Sequence, residues 1–204
     1  MDAITYLADP CGASSLPFWK ARQIQLPPGL TVVREDQLGK ASGSGRDDPY
    51  FKMVHRLHHV PAPALPQGFR LLDDLPVGDY FQHIRACYPD TDLTEEGLAA
   101  WRKQPVYAPE LWVAVSEAAT GQVVATGIGA RDDAIGEGSL EWIQISPAFR
   151  GRGLGRFVVC ELLRRMGPGA RFVTVSGRAD EAAPGALYAS CGFSDPVIWH
   201  VLRR

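Results

Sequence analysis

The chain has 204 residues, 46% hydrophobic and 22% charged, so it is long enough for one folded domain plus an appendage and too apolar to be disordered. Its formal net charge of -2 gives no overall attraction to nucleic acid or an anionic membrane, and no apolar stretch is long enough for a membrane helix. The N-terminus lacks the basic start and apolar run of a signal peptide. We therefore expect a cytoplasmic protein whose partners include neither nucleic acid nor a membrane.

Residues 1–67 lack the regular apolar pattern of a folded core, because proline recurs along them and positions 39–48 form the polar run GKASGSGRDD. Two short apolar segments stand out, PFWKARQI and YFKMVHRL, and we expect each to form a strand or a helix. The sequence therefore predicts an irregular N-terminal extension at 1–67, docked on a main domain at 68–204.

Regular elements begin at Gly68. FRLLDDL is typical of a strand, and DYFQHIRACY has apolar residues at helical spacing. A second helix follows in DLTEEGLAAWRK, where Thr94 can cap the first turn. The runs LWVAVSE and QVVATGIGAR are rich in β-branched residues and are separated by the turn AATG, which predicts an antiparallel hairpin.

The rest of the chain alternates strands and helices. GSLEWIQIS predicts a strand, and RGRGLGRFVVCELLRRMG predicts a glycine-rich turn that leads into a helix. ARFVTVSG is typical of a strand, PGALYASCG of a short helix and VIWHVL of a final strand. The order β-α-α-β-β-β-α-β-α-β indicates a mixed α/β (α+β) fold with six or seven strands and about four helices, not a doubly wound sheet.

The cysteines and the clustered histidines do not have the spacing of metal ligands. The four cysteines are far apart and include no Cys-x-x-Cys pair, so we expect reduced thiols. The histidines of MVHRLHHV have no cysteine or carboxylate partner at ligand spacing, and we expect them at an exposed polar strand edge. The sequence therefore predicts no bound metal.

The turn from Arg150 to Arg156 has the properties of an anion site. Its glycines let the backbone approach a ligand, and the free N–H groups at the start of the next helix favour negative charge. Three arginines add positive charge, so a pyrophosphate is the natural occupant. The turn does not match the P-loop pattern, which excludes a P-loop. It does not match the dinucleotide-binding fingerprint either, because Arg156 occupies the position of the last glycine. A glycine-rich surface turn with solvated arginines is the alternative.

The segment ISPAFRGRGLG resembles the signature Q/R-x-x-G-x-G/A of the Gcn5-related N-acetyltransferase (GNAT) family, with Arg150, Gly153 and Gly155 in register. Downstream, ALYASCGF is similar to the family's A-x-x-L-Y-x-x-x-G-F segment. The resemblance covers positions 69–204. It implies a mixed, mostly antiparallel sheet that splays at a slot for acetyl-CoA, which is a co-substrate.

The resemblance also implies which residues bind acetyl-CoA, through the backbone of one strand for the pantetheine arm and through the following turn for the pyrophosphate. The strand residues are Ile143, Gln144 and Ile145, and the turn residues are Arg150, Gly151, Arg152, Gly153, Leu154, Gly155 and Arg156. One departure is that Asp180 and Glu181 stand where members often carry an Asn that contacts the cofactor.

Acetyl transfer to an amine needs an acid for the departing thiolate and a route for removal of the amine proton. In family members the tyrosine at the position of Tyr188 donates to the sulfur, so the resemblance implies Tyr188 as the acid; the alternative is a packed tyrosine bonded to backbone. Glu141 is the leading candidate for the base, because it lies two residues before Ile143 and therefore on the same strand face. Pairing of Glu141 with an arginine, and deprotonation through water alone, stay open.

The acceptor is expected to be a primary amine of a small molecule or a peptide, acetylated by direct sequential transfer. A non-catalytic acyl-CoA-binding or sensing module is the alternative, and homodimerisation stays open. Cys191 is expected to be a small buried apolar group rather than a nucleophile. Five aromatic residues are candidates for lining an acceptor pocket: Tyr88, Trp101, Tyr107, Trp112 and Trp199.

Overall fold

The computed structural model describes residues 1–40 and 45–203, so part of the polar run at 39–48 lies outside the described residues. The strands are β1 (Leu30–Arg34), β2 (Arg46–His55), β3 (Phe69–Leu72), β4 (Trp112–Glu117), β5 (Val123–Asp132), β6 (Glu137–Ile145), β7 (Phe172–Arg178) and β8 (Ser194–Arg203). The helices are α1 (Ala3–Ala8), α2 (Phe18–Ala21), α3 (Val77–Cys87), α4 (Glu95–Trp101), α5 (Leu154–Arg165) and α6 (Ala182–Ser190). In this described part, every helix is too short or too polar to span a membrane.

The mixed α/β fold predicted from the sequence is confirmed. The strands lie in the order β1-β8-β2-β7-β6-β5-β4-β3, and neighbours are antiparallel except β6 and β7, which are parallel. From β3 onward the elements follow the predicted order. Over the described residues the sheet has eight strands rather than six or seven, because the extension adds β1 and β2, and it likewise adds α1 and α2 to the four expected helices.

The extension supplies a central strand of the sheet. The segment YFKMVHRL falls mostly in β2, which lies between β7 and β8, with Tyr50 opposite Arg178 on one side and Trp199 on the other. The last five residues of β2 are buried. The final strand of the chain, β8, therefore pairs with β1 and β2 instead of β7. The division of the chain at residues 67 and 68 stays a prediction.

Side chains that alternate along the strands of the sheet fill two cores on opposite faces. Val113 packs in the core that includes α5, and Trp112 and Ile128 pack in the core that includes α3 and α4. Full burial of each such side chain stabilises the fold by roughly 1.5–3 kcal/mol. As predicted, Thr94 caps α4, because its hydroxyl oxygen accepts the Gly97 N–H at 3.0 Å.

A buried polar network ties the extension to β6. The Lys52 ammonium, on a residue only 1% exposed, donates to the Tyr6 hydroxyl at 2.8 Å and to three backbone carbonyls that follow α1. Glu137 accepts from that hydroxyl, from the Phe18 N–H at 2.8 Å and from the Thr174 hydroxyl at 2.7 Å. Burial lowers the pKa of Lys52 to about 8 and raises that of Glu137, so neither charge is favourable without the other. The network fixes α2 against β6.

Candidate active site

Strands β6 and β7 diverge part-way along their length and open a cleft. Their pairing ends at Leu140 and Val175, although β6 continues to Ile145 and β7 to Arg178. The cleft between them has a volume of ≈ 830 Å³. It is bounded by β6, β7, the start of α5, α6, and the α2 and β2 segments of the extension. The sheet is therefore splayed, as the family resemblance implied.

Nearly all of the predicted site residues line this cleft. Arg152 is the exception, because its guanidinium lies over the Phe149 ring at 5.0 Å from the ring centroid. The predicted residues that line the cleft are Glu141, Ile143, Gln144, Ile145, Arg150, Gly151, Gly153, Leu154, Gly155, Arg156 and Tyr188. The fold thus brings the anion-binding turn and both acid–base candidates to one cavity.

Two glycines shape the turn before α5. Gly151 and Gly153 have φ angles of 75° and 83°, in the left-handed region that favours glycine. A Cβ on Gly151 would meet no atom of the described residues within 4 Å, and one on Gly153 would meet Pro66 Cγ at 3.6 Å. Backbone conformation rather than packing therefore requires these glycines, and the space beside them is open to a ligand.

The start of α5 presents backbone donors to the cleft. The first hydrogen bond at this end of the helix runs from the Phe157 N–H to Gly153 O at 3.0 Å, so the N–H groups of residues 154–156 have no intrahelical partner. They lie at the positive end of the helix dipole. Arg150 Nε donates to the Ile145 carbonyl at 3.2 Å, which holds the turn against β6. This is the geometry with which helices bind phosphate groups.

Strand β7 adds an arginine that the sequence analysis missed. Arg178 lines the cleft and donates to Asp180 through Nε at 2.9 Å and Nη2 at 2.5 Å, and Glu181 lies 3.6 Å away. The hydrogen bond from Arg178 holds the pKa of Asp180 below its usual range. The acidic residues that replace the family's Asn are therefore paired with Arg178. The Arg-x-Asp spacing at a strand end is a signal that could have identified this pair.

Tyr188 is enclosed in α6 between two phenylalanine rings. Its ring centroid lies 6.1 Å from that of Phe51 and 5.6 Å from that of Phe193, both edge-on. Within residues 1–40 and 45–203 its hydroxyl makes no hydrogen bond, so it is not tied to backbone. Burial raises the pKa of Tyr188 above its usual value, and the negative charge of Glu141 adds to the increase. The phenol is protonated at neutral pH.

A bulge in β6 places Glu141 and Ile143 on opposite faces of the sheet, so the expectation that they share a face is wrong. Trp142 has a φ of 48°, and the register with β5 shifts by one residue between Glu141 and Gln144. The inserted residue reverses the alternation of side chains. Ile143 therefore packs with the α5 core, whereas Glu141 contacts α2.

Glu141 forms an ion pair with a lysine of the extension. Lys20 Nζ lies 2.7 Å from Glu141 Oε2, and the two side chains are 27% and 17% exposed. The same ammonium lies 4.7 Å from the ring centroid of Trp101 and 5.1 Å from that of Trp19. Pairing of Glu141 with an arginine was the alternative left open from the sequence, and the partner is instead a lysine. Lys20 lies in the apolar segment PFWKARQI, which has no local signal for contact with β6.

Gln144 connects the cleft to a buried histidine. Its amide donates to Thr126 Oγ1, which bonds to His83 Nδ1 at 2.9 Å, and His83 Nε2 bonds to Ser146 Oγ at 2.9 Å. Burial lowers the pKa of His83 to about 4, so the ring is neutral at neutral pH. Gln144 Oε1 is buried without a partner among the described residues.

Comparison with known proteins agrees with this geometry. Residues 108–195 match the family model for an acetyltransferase (GNAT) domain. The chain contains a GNAT domain. Members of this family are acetyltransferases, so acyl transfer is the general activity that the domain supports. A search of curated proteins finds no significant match.

Solved structures resemble a larger part of the chain than residues 108–195. A GCN5-related N-acetyltransferase from Sphaerobacter thermophilus is 20% identical, with a TM-score of 0.69 over 85% of this chain and 59% of that chain. A Drosophila protein is 20% identical, with a TM-score of 0.65 over 91% of this chain and 66% of that chain. Ard1 from Thermoplasma volcanium is 15% identical, with a TM-score of 0.53 over 67% of this chain and 99% of that chain. At these identities the likeness shows the fold alone, and the chain spans less than two thirds of the first two structures.

The predicted aromatic acceptor pocket is only partly assembled. Of the five candidates, Tyr88 is the one that lines the cleft in the described part of the protein. Trp101 packs beneath Lys20. Tyr107 and Trp112 pack against each other in the α3/α4 core, and Trp199 donates to a backbone carbonyl of the extension.

The cysteine and histidine predictions have mixed outcomes. Cys191 is 0% exposed and lies against Cys160, so the expectation of a buried thiol is confirmed. His55 is buried at the end of β2, with its ring centroid 5.3 Å from that of Phe193, so the exposed edge expected for it is wrong. No group of three or more His, Cys, Asp or Glu residues is arranged to hold a metal within the residues that the structure describes.

Proposed function

We propose that this chain is an acetyl-CoA-dependent N-acetyltransferase that transfers an acetyl group, directly and sequentially, to a primary amine of a small molecule or a peptide. The observation that carries the proposal is that one cleft joins an anion-binding helix start to a protonated tyrosine and a carboxylate. Acetyl transfer from a CoA thioester requires phosphate recognition and acid–base groups within reach of one another.

The turn Arg150–Arg156 suits the CoA pyrophosphate. The N–H groups of residues 154–156 would donate to phosphate oxygens, and Arg150 and Arg156, which line the cleft, would add positive charge. Beyond Leu140, β6 has no pairing with β7, so the backbone of Ile143–Ile145 is available to an extended pantetheine arm. The cofactor would lie along β6 with its thioester toward α6.

Tyr188 would protonate the departing thiolate, because its raised pKa keeps the phenol protonated at neutral pH. Glu141 would accept the proton of the attacking amine, directly or through one water. The bulge leaves Trp142 and Ile143 out of the ladder with β5, so a backbone N–H in this stretch can stabilise the developing oxyanion.

The alternative function is a non-catalytic acyl-CoA-binding or sensing module. One observation favours it: the proposed base, Glu141, is already paired with Lys20, and an acceptor amine must compete with that pair. In this case the cofactor would bind without turnover, and the extension would respond to its presence.

A thiol-release assay with acetyl-CoA tests the proposal against a panel of polyamines, amino acids, aminoglycosides, arylalkylamines and lysine peptides. Calorimetric titration with acetyl-CoA runs in parallel. Release with one amine class, lost in Tyr188→Phe, supports the enzyme and identifies its acceptor class. Binding without release from any amine supports the sensing module instead.

A cytoplasmic location, the lack of nucleic-acid and membrane partners, and homodimerisation stay predictions.

A further inference from the structure

An amine of the chain itself lies in the cleft. Lys20 Nζ is hydrogen-bonded to Glu141 at 2.7 Å and lies over the rings of Trp19 and Trp101. A carboxylate beside an aromatic surface is the arrangement that binds an amine ligand. Lys20 therefore occupies the contacts that an acceptor amine would make with the proposed base.

The position of Lys20 is imposed by its neighbours. Consecutive residues of the extension contact alternate residues of one face of β6. The Phe18 N–H donates to Glu137 at 2.8 Å, the Trp19 indole N–H reaches the Ser139 hydroxyl at a long 3.5 Å, and Lys20 pairs with Glu141. Because Glu137 also belongs to the buried network with Lys52, α2 is held in register with β6.

The other described lysine side chains lack this setting. Lys52 is 1% exposed, and its ammonium is surrounded by four oxygen acceptors. Lys103 is exposed after the end of α4 and does not line the cleft. Lys20 alone among these three combines partial exposure, a cleft position and contact with a carboxylate.

We infer that Lys20 is an acetyl acceptor in cis, so that the chain acetylates its own extension at the edge of the active-site cleft. The inference rests on the proposed function, because acetyl-CoA bound in that cleft is the acetyl donor. It assigns a modification site to a residue that the family resemblance does not cover.

The transfer balances with the groups present. A C–N bond forms between Lys20 Nζ and the acetyl carbonyl carbon, and the C–S bond of the thioester breaks. The ammonium loses two protons. Glu141 takes the first and passes it to solvent. Tyr188 protonates the departing thiolate, and the second proton, which the nitrogen loses through solvent as the amide forms, restores the phenol of Tyr188. The products are N-acetyl-lysine, the CoA thiol and one proton.

Acetylation would change the charge of the site. The amide of acetyl-lysine carries no positive charge, so Glu141 would lose its ion pair and the two tryptophan rings their cation. The cleft beside Glu141 would then favour a cationic acceptor more strongly than before. The modification would occur once per chain.

Mass spectrometry of the full-length protein incubated with isotope-labelled acetyl-CoA tests the inference, with exposed Lys103 as the internal reference for chemical acetylation. We expect Lys20 to be labelled at least about ten-fold faster than Lys103, with a rate constant independent of protein concentration. In Tyr188→Phe, labelling of Lys20 should slow by at least about ten-fold while labelling of Lys103 is unchanged.

Three results would overturn the inference: equal rates at Lys20 and Lys103, a Lys20 rate unaffected by Tyr188→Phe, or a rate constant that rises with protein concentration. The thiol-release panel on the same preparation separates the two proposals. Turnover of an added amine without labelling of Lys20 would reject self-acetylation and leave the proposed function intact. The absence of both turnover and labelling would reject both.

Discussion

The proposed phosphate end of the cleft, the turn Arg150–Arg156, comes from one continuous segment, whereas the proposed acceptor end joins Lys20, Tyr88 and Glu141 from three distant ones. The conformation of the phosphate end follows from glycines within it. The acceptor end depends on α2, which the buried network of Lys52 and Glu137 holds against β6. If the proposed function holds, cofactor recognition in this cleft is therefore local, and acceptor recognition depends on the whole fold.

This difference predicts separable defects. Changes at the phosphate end should alter acetyl-CoA affinity with little effect on the acceptor. Changes at the acceptor end should alter acceptor kinetics, and a change at His83, whose hydrogen bonds lead to Gln144 in the cleft, should alter stability. Both should leave acetyl-CoA affinity intact. Tyr188 lines the same cleft from α6 and belongs to neither end, so its replacement should affect turnover.

Replacement of the acid candidate should have the largest effect. In Tyr188→Phe we expect kcat to fall by about 10²-fold or more, because the thiolate loses its proton donor, while the Kd of acetyl-CoA changes little. Steady-state kinetics and calorimetry measure the two quantities. Tyr50→Phe is the matched control, since it removes another hydroxyl from the same cleft and should leave kcat unchanged. Equal turnover in Tyr188→Phe and wild type would remove Tyr188 from the mechanism.

The protein should lose stability in acid through His83, which Thr126 and Gln144 connect to the cleft. Its folded-state pKa of about 4 lies below the usual value of 6.5, so between these values the unfolded chain binds more protons. The free energy of unfolding should therefore fall as the pH decreases, by about 2 kcal/mol from about pH 7 to about pH 5. Urea unfolding of His83→Gln should show a smaller decrease, and His58→Gln, at an exposed histidine, should match wild type. Identical decreases in all three proteins would contradict the assignment.

A side chain in the phosphate turn should weaken cofactor binding selectively. In Gly153→Val we expect the Kd of acetyl-CoA to rise about ten-fold, because a β-branched residue at a φ of 83° strains the turn and a side chain there obstructs the phosphates. Gly121→Val is the matched control, because Gly121 has a φ of 74° in the β4–β5 turn, outside the cleft. Both variants should lose stability, and only the first should lose affinity. Retained affinity in Gly153→Val would reject this phosphate site.

Removal of the lysine at the acceptor end should give the smallest effect. In Lys20→Met we expect the KM of a cationic acceptor to be about two- to five-fold below that of wild type whose Lys20 is unacetylated, because a partly exposed ion pair no longer competes for Glu141. The Kd of acetyl-CoA should stay the same, and Lys103→Met should behave as wild type. A change confined to acetyl-CoA affinity would show that Lys20 belongs to the phosphate end instead.

By itself, the sequence determined the order of elements from β3 to β8, the cap at Thr94 and the glycine turn before α5. These features depend on interactions within a few residues: hydrophobic period, a side-chain cap and the conformational freedom of glycine. The candidate acid and the candidate cofactor residues were proposed from the family resemblance, which short continuous motifs carry, and their roles stay predictions.

Only the tertiary structure decided the position of β2, the bulge at Trp142 and the pairing of Lys20 with Glu141. The choice of a strand's neighbours and register depends on which faces become buried when distant segments meet, and a one-residue shift changes the face of every following side chain. No local pattern in PFWKARQI or GSLEWIQIS predicts that these two segments contact each other. The proposed acceptor end of the cleft could therefore not be predicted from the sequence, because its residues come together only after the extension has packed against β6.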